Sequence, residues 1–441
     1  MSFFLYFIFL IIIYSSKNFK ITEENDTIKN NFNNSNIEDQ IISQNKNKTN
    51  VNNYEVEKKE TRKLQTEEFH PFRLKVDYSD IENTLNSSYN LILDVKKEKD
   101  TIINSIKNAK KYLLDLVYEV EKSDNNYISI SKDDIEGKSF PFSLDEGIFN
   151  RPYNYDLVIF IIGLFNLDTD YSFAIPYILK CNSKGRPIFG LIIYDYSFIK
   201  DDLKEKDRLL TISFLHEFTH ILGFEKSCLK KKNLLGIKTL TRINNGKDNI
   251  KKLMVNGTEV LKRAKKYYNC TNIDGLDLNS KSTDFEGEEF FHWEGRILLG
   301  EYMTSEIYYP EQVISEFTLD LLYDLGWYKV NYYTGGLMRF GKNKGCEFIN
   351  NDCVKVVGEN IITSSFQNEF CDQGSNDEES YGTCSSGRLS RGYCSNYKNN
   401  FDKYFKRENW EEHYGEKNAE YCPVSIETRV EGKKKIFYWK L

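Results

Sequence analysis

No cysteine precedes Cys181 in this chain of 441 residues, and histidines number only five. The first absence excludes a disulfide framework from the amino-terminal part and leaves no thiolate there that could block a metal. The second makes any close pair of histidines informative. No two of the nine cysteines stand three apart, so no Cys-x-x-Cys pair is present to build a zinc knuckle. The net charge of -6 comes without a basic patch interleaved with aromatics, which argues against nucleic acid as a partner. No apolar run approaches the roughly 20 residues that a membrane-spanning helix needs.

What is present begins with a short apolar run, residues 2 to 14, followed by Ser15-Ser16. This reads as a secretory signal peptide, with an uncleaved signal anchor as the alternative because the positive segment is only the amino terminus. Residues 17 to 68 are rich in Asn, Lys, Glu and Thr and poor in apolar side chains. Such a composition cannot bury enough surface to offset chain entropy, and it predicts a disordered linker or pro-segment.

The chemistry concentrates in Thr211-Ile-Ser-Phe-Leu-His-Glu-Phe-Thr-His-Ile-Leu-Gly-Phe224. Apolar residues at three-to-four spacing predict a helix, and Gly223 supplies its stop. His216 and His220, four apart, project from one helix face about 6 Å from each other, close enough to bind one metal ion. Glu217 lies about 100° around the axis, where its carboxylate faces a water beside the metal and can serve as general base. The competing reading, an amphipathic helix with incidental histidines, leaves the spacing of all three polar residues unexplained.

A catalytic zinc takes three protein ligands and keeps a fourth position open, so a third ligand must lie elsewhere. His70, His292 and His413 remain. His292 lies in Glu-Phe-Phe-His-Trp-Glu-Gly-Arg296, with Met303 following in Gly-Glu-Tyr-Met-Thr304. Read by itself His292 is either a ligand or a half-buried histidine beside Trp293.

A glycine after the second histidine, a later histidine and a methionine turn are the parts of a metzincin. The long gap from Gly223 to His292 resembles one branch of that group, the leishmanolysin and invadolysin family. His70-Pro-Phe-Arg73, Gly185-Arg-Pro-Ile-Phe-Gly-Leu191, Leu325-Gly-Trp-Tyr328 and Ala419-Glu-Tyr-Cys-Pro423 extend the resemblance over roughly residues 69 to 425. It implies His216, His220 and His292 as ligands of one catalytic Zn2+, Glu217 as the catalytic base, and Gly223 and Met303 as structural residues. Met303 is read as an apolar floor and not as a ligand. The family's usual latency device, a pro-segment cysteine on the zinc, has no counterpart here.

Around the motif the chain alternates strands and helices. A helix is expected from about Asp100 to Lys122, and buried strands over Asp156 to Leu164 and Pro187 to Tyr194. The expected fold is a metzincin of α+β or α/β type. It has a mostly parallel amino-terminal sheet with the active-site helix, a loop-rich lower subdomain with the methionine turn, and a Cys-rich end. The expected layout is a signal peptide (1-16), the Asn-rich segment (17-68), an N-terminal catalytic subdomain (69-224), a central subdomain (225-335) and the Cys-rich C-terminal region (336-441). Helical patches are expected near Lys251 to Tyr267, and a further helix from about Glu311 to Leu325.

Six cysteines crowd the last hundred residues, and behind a signal peptide they read as disulfides whose connectivity stays open. Six Asn-x-Ser/Thr sites, among them Asn256 and Asn269, fit the secretory route. The leading function is therefore a secreted or cell-surface zinc endopeptidase acting on protein or peptide substrates. The alternative is a catalytically silent metzincin-fold adhesion or binding protein. Tyr302, Tyr308 and Tyr309 all stand near Met303 as candidate donors to the transition state.

Overall fold

The computed structural model describes residues 68–81, 95–123, 125–138, 140, 142, 144–164, 174–196, 206–241, 249–279, 291–307, 312–351 and 353–357, with shorter pieces between 361 and 440. The expected signal peptide, nearly all of the Asn-rich segment, Tyr308, Tyr309 and His413 lie outside these residues. The chain divides into two compact units, Met1–His70 with Phe140–Asp145, and Pro71–Ser139 with Glu146–Leu441. In the smaller unit, the Phe140 and Phe142 rings stack with centroids 5.9 Å apart. The larger unit holds both four-stranded sheets and the histidine cluster.

Its first half runs through β1 (Leu74–Asp77), α1 (Val95–Leu116), β2 (Val117–Glu121), β3 (Leu157–Leu164), β4 (Ala174–Cys181), β5 (Pro187–Asp195) and α2 (Lys206–Leu222). Four strands form one sheet in the order β1-β3-β5-β4. The pairs β1-β3 and β3-β5 are parallel, and β4 closes the edge antiparallel to β5. All nine residues of β5 are buried. That is the burial of a strand covered on both faces, and it explains the unbroken apolar run Pro-Ile-Phe-Gly-Leu-Ile-Ile-Tyr.

Helix α2 lies directly on β5. A Cβ built on Gly190 would stand 2.6 Å from Cγ2 of Ile221, so only glycine allows the approach. Helix α1 packs beside α2 through Ile102, Ile106, Ala109 and Leu113, all fully buried. The Ser105 hydroxyl adds a bond to the Asp207 carbonyl at 3.1 Å.

After Gly223 come α3 (Lys226–Lys231), β6 (Leu235–Thr241), β7 (Asn249–Val255), α4 (Thr258–Tyr268), β8 (Leu276–Asn279), β9 (His292–Trp293), α5 (Gly295–Leu298), α6 (Glu316–Asp324), β10 (Tyr328–Val330) and α7 (Gly345–Asn350). Strands β9-β8-β7-β6, in that order, make a four-stranded antiparallel sheet. The central region is thus more ordered than the loop-rich stretch its polar sequence suggested.

Three expected elements change their bounds. The helix expected to reach Lys122 ends at Leu116, because Val117 and Val120 enter β2 and pair with β10. The Lys251 to Tyr267 patch splits into strand β7 and helix α4, broken at Asn256-Gly257. The helix expected from Glu311 starts at Glu316, where the Ser315 hydroxyl accepts from the backbone N–H of Phe317 and Thr318.

Disulfides join Cys270 to Cys346 and Cys353 to Cys422, and Cys371 is also disulfide-bonded. Cys384 is a free thiol, against the expectation of disulfides in the Cys-rich end, and so are Cys181 and Cys228. Among the described residues no helix is long and apolar enough to cross a membrane.

Candidate metal centre

His216 and His220 stand one turn apart on α2, both buried, and β9 brings half-buried His292 to meet them. The Nε2 atoms of His216 and His220 are 3.0 Å apart, and Nε2 of His292 is 3.2 Å from that of His216. All three candidate ligand atoms lie within 4.8 Å of one another. Three nitrogens at 2.0–2.1 Å from a tetrahedral zinc would be separated by roughly 3.3 Å. The observed spacings are close to that value.

The tautomers are set by the partners on the other side of two rings. Nδ1 of His216 is 2.6 Å from the Tyr302 carbonyl oxygen, and Nδ1 of His220 is 2.9 Å from that of Phe224. A carbonyl only accepts, so each Nδ1 carries the proton and each Nε2 presents a bare lone pair. Two lone pairs facing each other at 3.0 Å repel unless a cation lies between them. The donor set therefore fits zinc, with neutral imidazoles as its ligands.

Electrostatics favours the same state. Burial first, and then the neighbouring His220 and His292, hold His216 well below the usual histidine range. Burial brings His220 down to about 4, and burial together with His220 puts His292 well below its ordinary value. None of the three is charged at neutral pH. Glu217, also buried, has its carboxyl pushed well above the usual range by desolvation. A divalent cation nearby would reverse that balance and favour the carboxylate.

A family model described as leishmanolysin matches residues 120–433, which is more than half of the chain and includes the whole histidine cluster. The chain belongs to the leishmanolysin family. It is 27% identical over 215 residues to a leishmanolysin homolog of Crithidia fasciculata, covering 48% of this chain and 29% of that protein. A ciliated left-right organizer metallopeptidase of Danio rerio is 26% identical over 199 residues, 43% of this chain and 32% of its own. A leishmanolysin-like peptidase of Drosophila melanogaster is 29% identical over 143 residues, 32% of this chain and 20% of its own. The matches thus span about a third or less of the length of these curated relatives. Leishmanolysins imply a metzincin-type α/β fold, and the mixed sheets and helices here agree with it.

Within this leishmanolysin-family chain, Met303 is fully buried and its carbonyl accepts from the Trp293 backbone N–H at 2.9 Å. The segment around Met303 and the strand carrying His292 are thereby tied together. Glu294, just beyond, accepts from Nζ of Lys252 at 2.9 Å and from the Arg296 backbone N–H at 3.1 Å, which anchors the strand from the other side. The Tyr302 hydroxyl is buried and bonded to Thr219 Oγ1 at 3.0 Å. Thr219 spends its own proton on the Leu215 carbonyl, so Tyr302 donates to α2 and its hydroxyl is not free for substrate. Gly223 has φ +124, in the region that favours glycine. His70 is half-buried in an extended segment of the smaller unit.

Reading the sequence missed Glu301, Ser315 and Thr318, which bond to one another next to Met303, whose backbone N–H Glu301 also accepts. One signal was available: Glu301 is an acid embedded in the otherwise apolar Ile-Leu-Leu-Gly-Glu-Tyr-Met run. The Tyr302 and Phe224 carbonyls that orient two histidines carry no sequence signal, since every residue has a carbonyl.

Proposed function

We propose that this chain is a zinc-dependent endopeptidase, with His216, His220 and His292 holding one Zn2+ and Glu217 as general base. The observation that supports it most is the pair of bare Nε2 lone pairs at 3.0 Å, with the third histidine 3.2 Å away. Zinc bound there would supply an activated water near neutral pH and a Lewis acid for the peptide carbonyl. Glu217 would take the proton of the attacking water and return it to the leaving amine. Gly223 would end α2 so that the chain can leave the site, and Met303 would floor the centre as packing. In this reading the catalytic region is 69-224, the third ligand and the methionine turn come from 225-335, and 336-441 is a disulfide-bearing appendage. The disulfides support a secreted or cell-surface location, with proteins or peptides as substrates.

The test is digestion of casein by the purified protein before and after chelation, with zinc restored, beside Glu217→Ala. Cleavage that needs zinc and falls about 100-fold or more in Glu217→Ala is expected. Undiminished cleavage by Glu217→Ala defeats the reading, and zinc binding without any cleavage points to a binding protein instead.

A further inference from the structure

We infer that Glu301 is a positioning residue for the metal centre, acting on His216 through a single peptide group and on His292 through Thr318 and Trp293. The inference rests on the three-histidine reading above. Glu301 is fully buried, and among the described residues no lysine or arginine pairs with it. Four donors converge on its carboxylate instead. The Met303 backbone N–H reaches Oε2 at 2.5 Å. The Ser315 hydroxyl at 2.7 Å, the Thr318 hydroxyl at 2.6 Å and the Ser315 backbone N–H at 3.3 Å reach Oε1.

Every one of these contacts runs toward the carboxylate. The Thr318 oxygen already accepts from Nε1 of Trp293 at 2.9 Å, and an indole N–H only donates, so the Thr318 proton is committed to Glu301. The Ser315 oxygen accepts from the N–H groups that start α6, at 3.2 and 3.4 Å, which commits its proton the same way. Only a group with acceptors on both oxygens satisfies this arrangement. A glutamine of the same size would turn an NH2 toward a donor.

The Met303 N–H and the Tyr302 C=O are two ends of one planar peptide unit. Glu301 accepts from one end, and the other end receives the His216 Nδ1 proton at 2.6 Å. The result is a carboxylate-peptide-histidine relay toward the metal position. Fixing the peptide plane fixes the imidazole, and the acceptor on the N–H side polarises the peptide so that its carbonyl accepts more strongly. The second arm runs from Glu301 through Thr318 to the indole of Trp293, the residue after His292. The Trp293 backbone N–H on the Met303 carbonyl ties the two arms together.

The test is the zinc dissociation constant, measured by chelator competition, and the visible spectrum of the cobalt-substituted protein, for wild type, Glu301→Gln and Thr318→Val. Thermal melts of the metal-free proteins serve as the folding control. Wild type that binds no zinc defeats the three-histidine reading and this inference with it, whereas the outcomes below bear on this inference alone. With wild type binding, Glu301→Gln is expected to lose about 10- to 100-fold in zinc affinity and to shift the cobalt bands, and Thr318→Val to lose less. A folded Glu301→Gln with wild-type affinity and bands overturns the inference, even if it melts earlier, because that is the signature of a merely structural role. If Glu301→Gln does not fold, Thr318→Val decides: weakened zinc binding supports the inference and unchanged binding overturns it.

Discussion

Replacing Gly223 with alanine should damage both the fold and the metal centre, and the damage can be sized from the surroundings. At φ +124 an L-residue is strained, at a cost of about 1–3 kcal/mol. The new methyl would also stand 3.0 Å from Cδ1 of Leu325 and 3.1 Å from the Trp327 ring, both fully buried. Pushing either side chain off its rotamer adds about 0.5–1.5 kcal/mol. The total, about 1.5–4.5 kcal/mol, is a large share of the 5–15 kcal/mol that typically holds a fold. Gly326→Ala separates the two causes, since Gly326 has φ +74 but the new methyl would meet nothing nearer than Nζ of Lys232 at 3.9 Å. It should lose only about 1–2 kcal/mol. The assay is guanidinium unfolding of the metal-free, oxidised protein, read as a shift in midpoint at constant slope, followed by zinc titration. Gly223→Ala should also weaken zinc, because the next residue, Phe224, supplies the carbonyl that orients His220. Equal losses for the two glycine variants, or unchanged zinc affinity in Gly223→Ala, would refute the reasoning.

Two more outcomes follow from the same structure. The Cys270 to Cys346 bridge closes a loop with a sequence separation of 76, so the Cys270→Ser, Cys346→Ser protein should lose about 4–5 kcal/mol of stability, and a loss under about 1 kcal/mol in urea unfolding would contradict this. His220 has its folded value lowered from 6.5 to about 4, so between those pH values the unfolded chain binds a proton that the folded chain refuses. Its contribution to stability is therefore intact above 6.5 and lost as pH falls toward 4, by about 3 kcal/mol in the metal-free protein. The stability gap between wild type and His220→Gln should change by that amount across the window, and a gap independent of pH would count against a buried neutral His220.

The candidate site was legible because its chemistry is local: five residues of helix suffice to place His216, Glu217 and His220, and Gly223 marks where the helix must stop. Buried strands such as Leu157–Leu164 were legible for a similar reason, as short apolar runs. What escaped was set by partners far along the chain. Val117 and Val120 continue the apolar period of α1, and only β10, some two hundred residues later, makes them a strand. Polar β7 reads as helix until β6 and β8 are seen on either side of it. Glu301 looks like an isolated acid until Ser315, Thr318 and the Met303 N–H converge on it.

The most direct measurement is X-ray absorption at the zinc edge of the metal-loaded protein, for wild type and His292→Ala. Three imidazole nitrogens at about 2.0–2.1 Å in wild type, falling to two in the variant, are predicted. The same two imidazoles in both proteins would contradict the three-histidine centre.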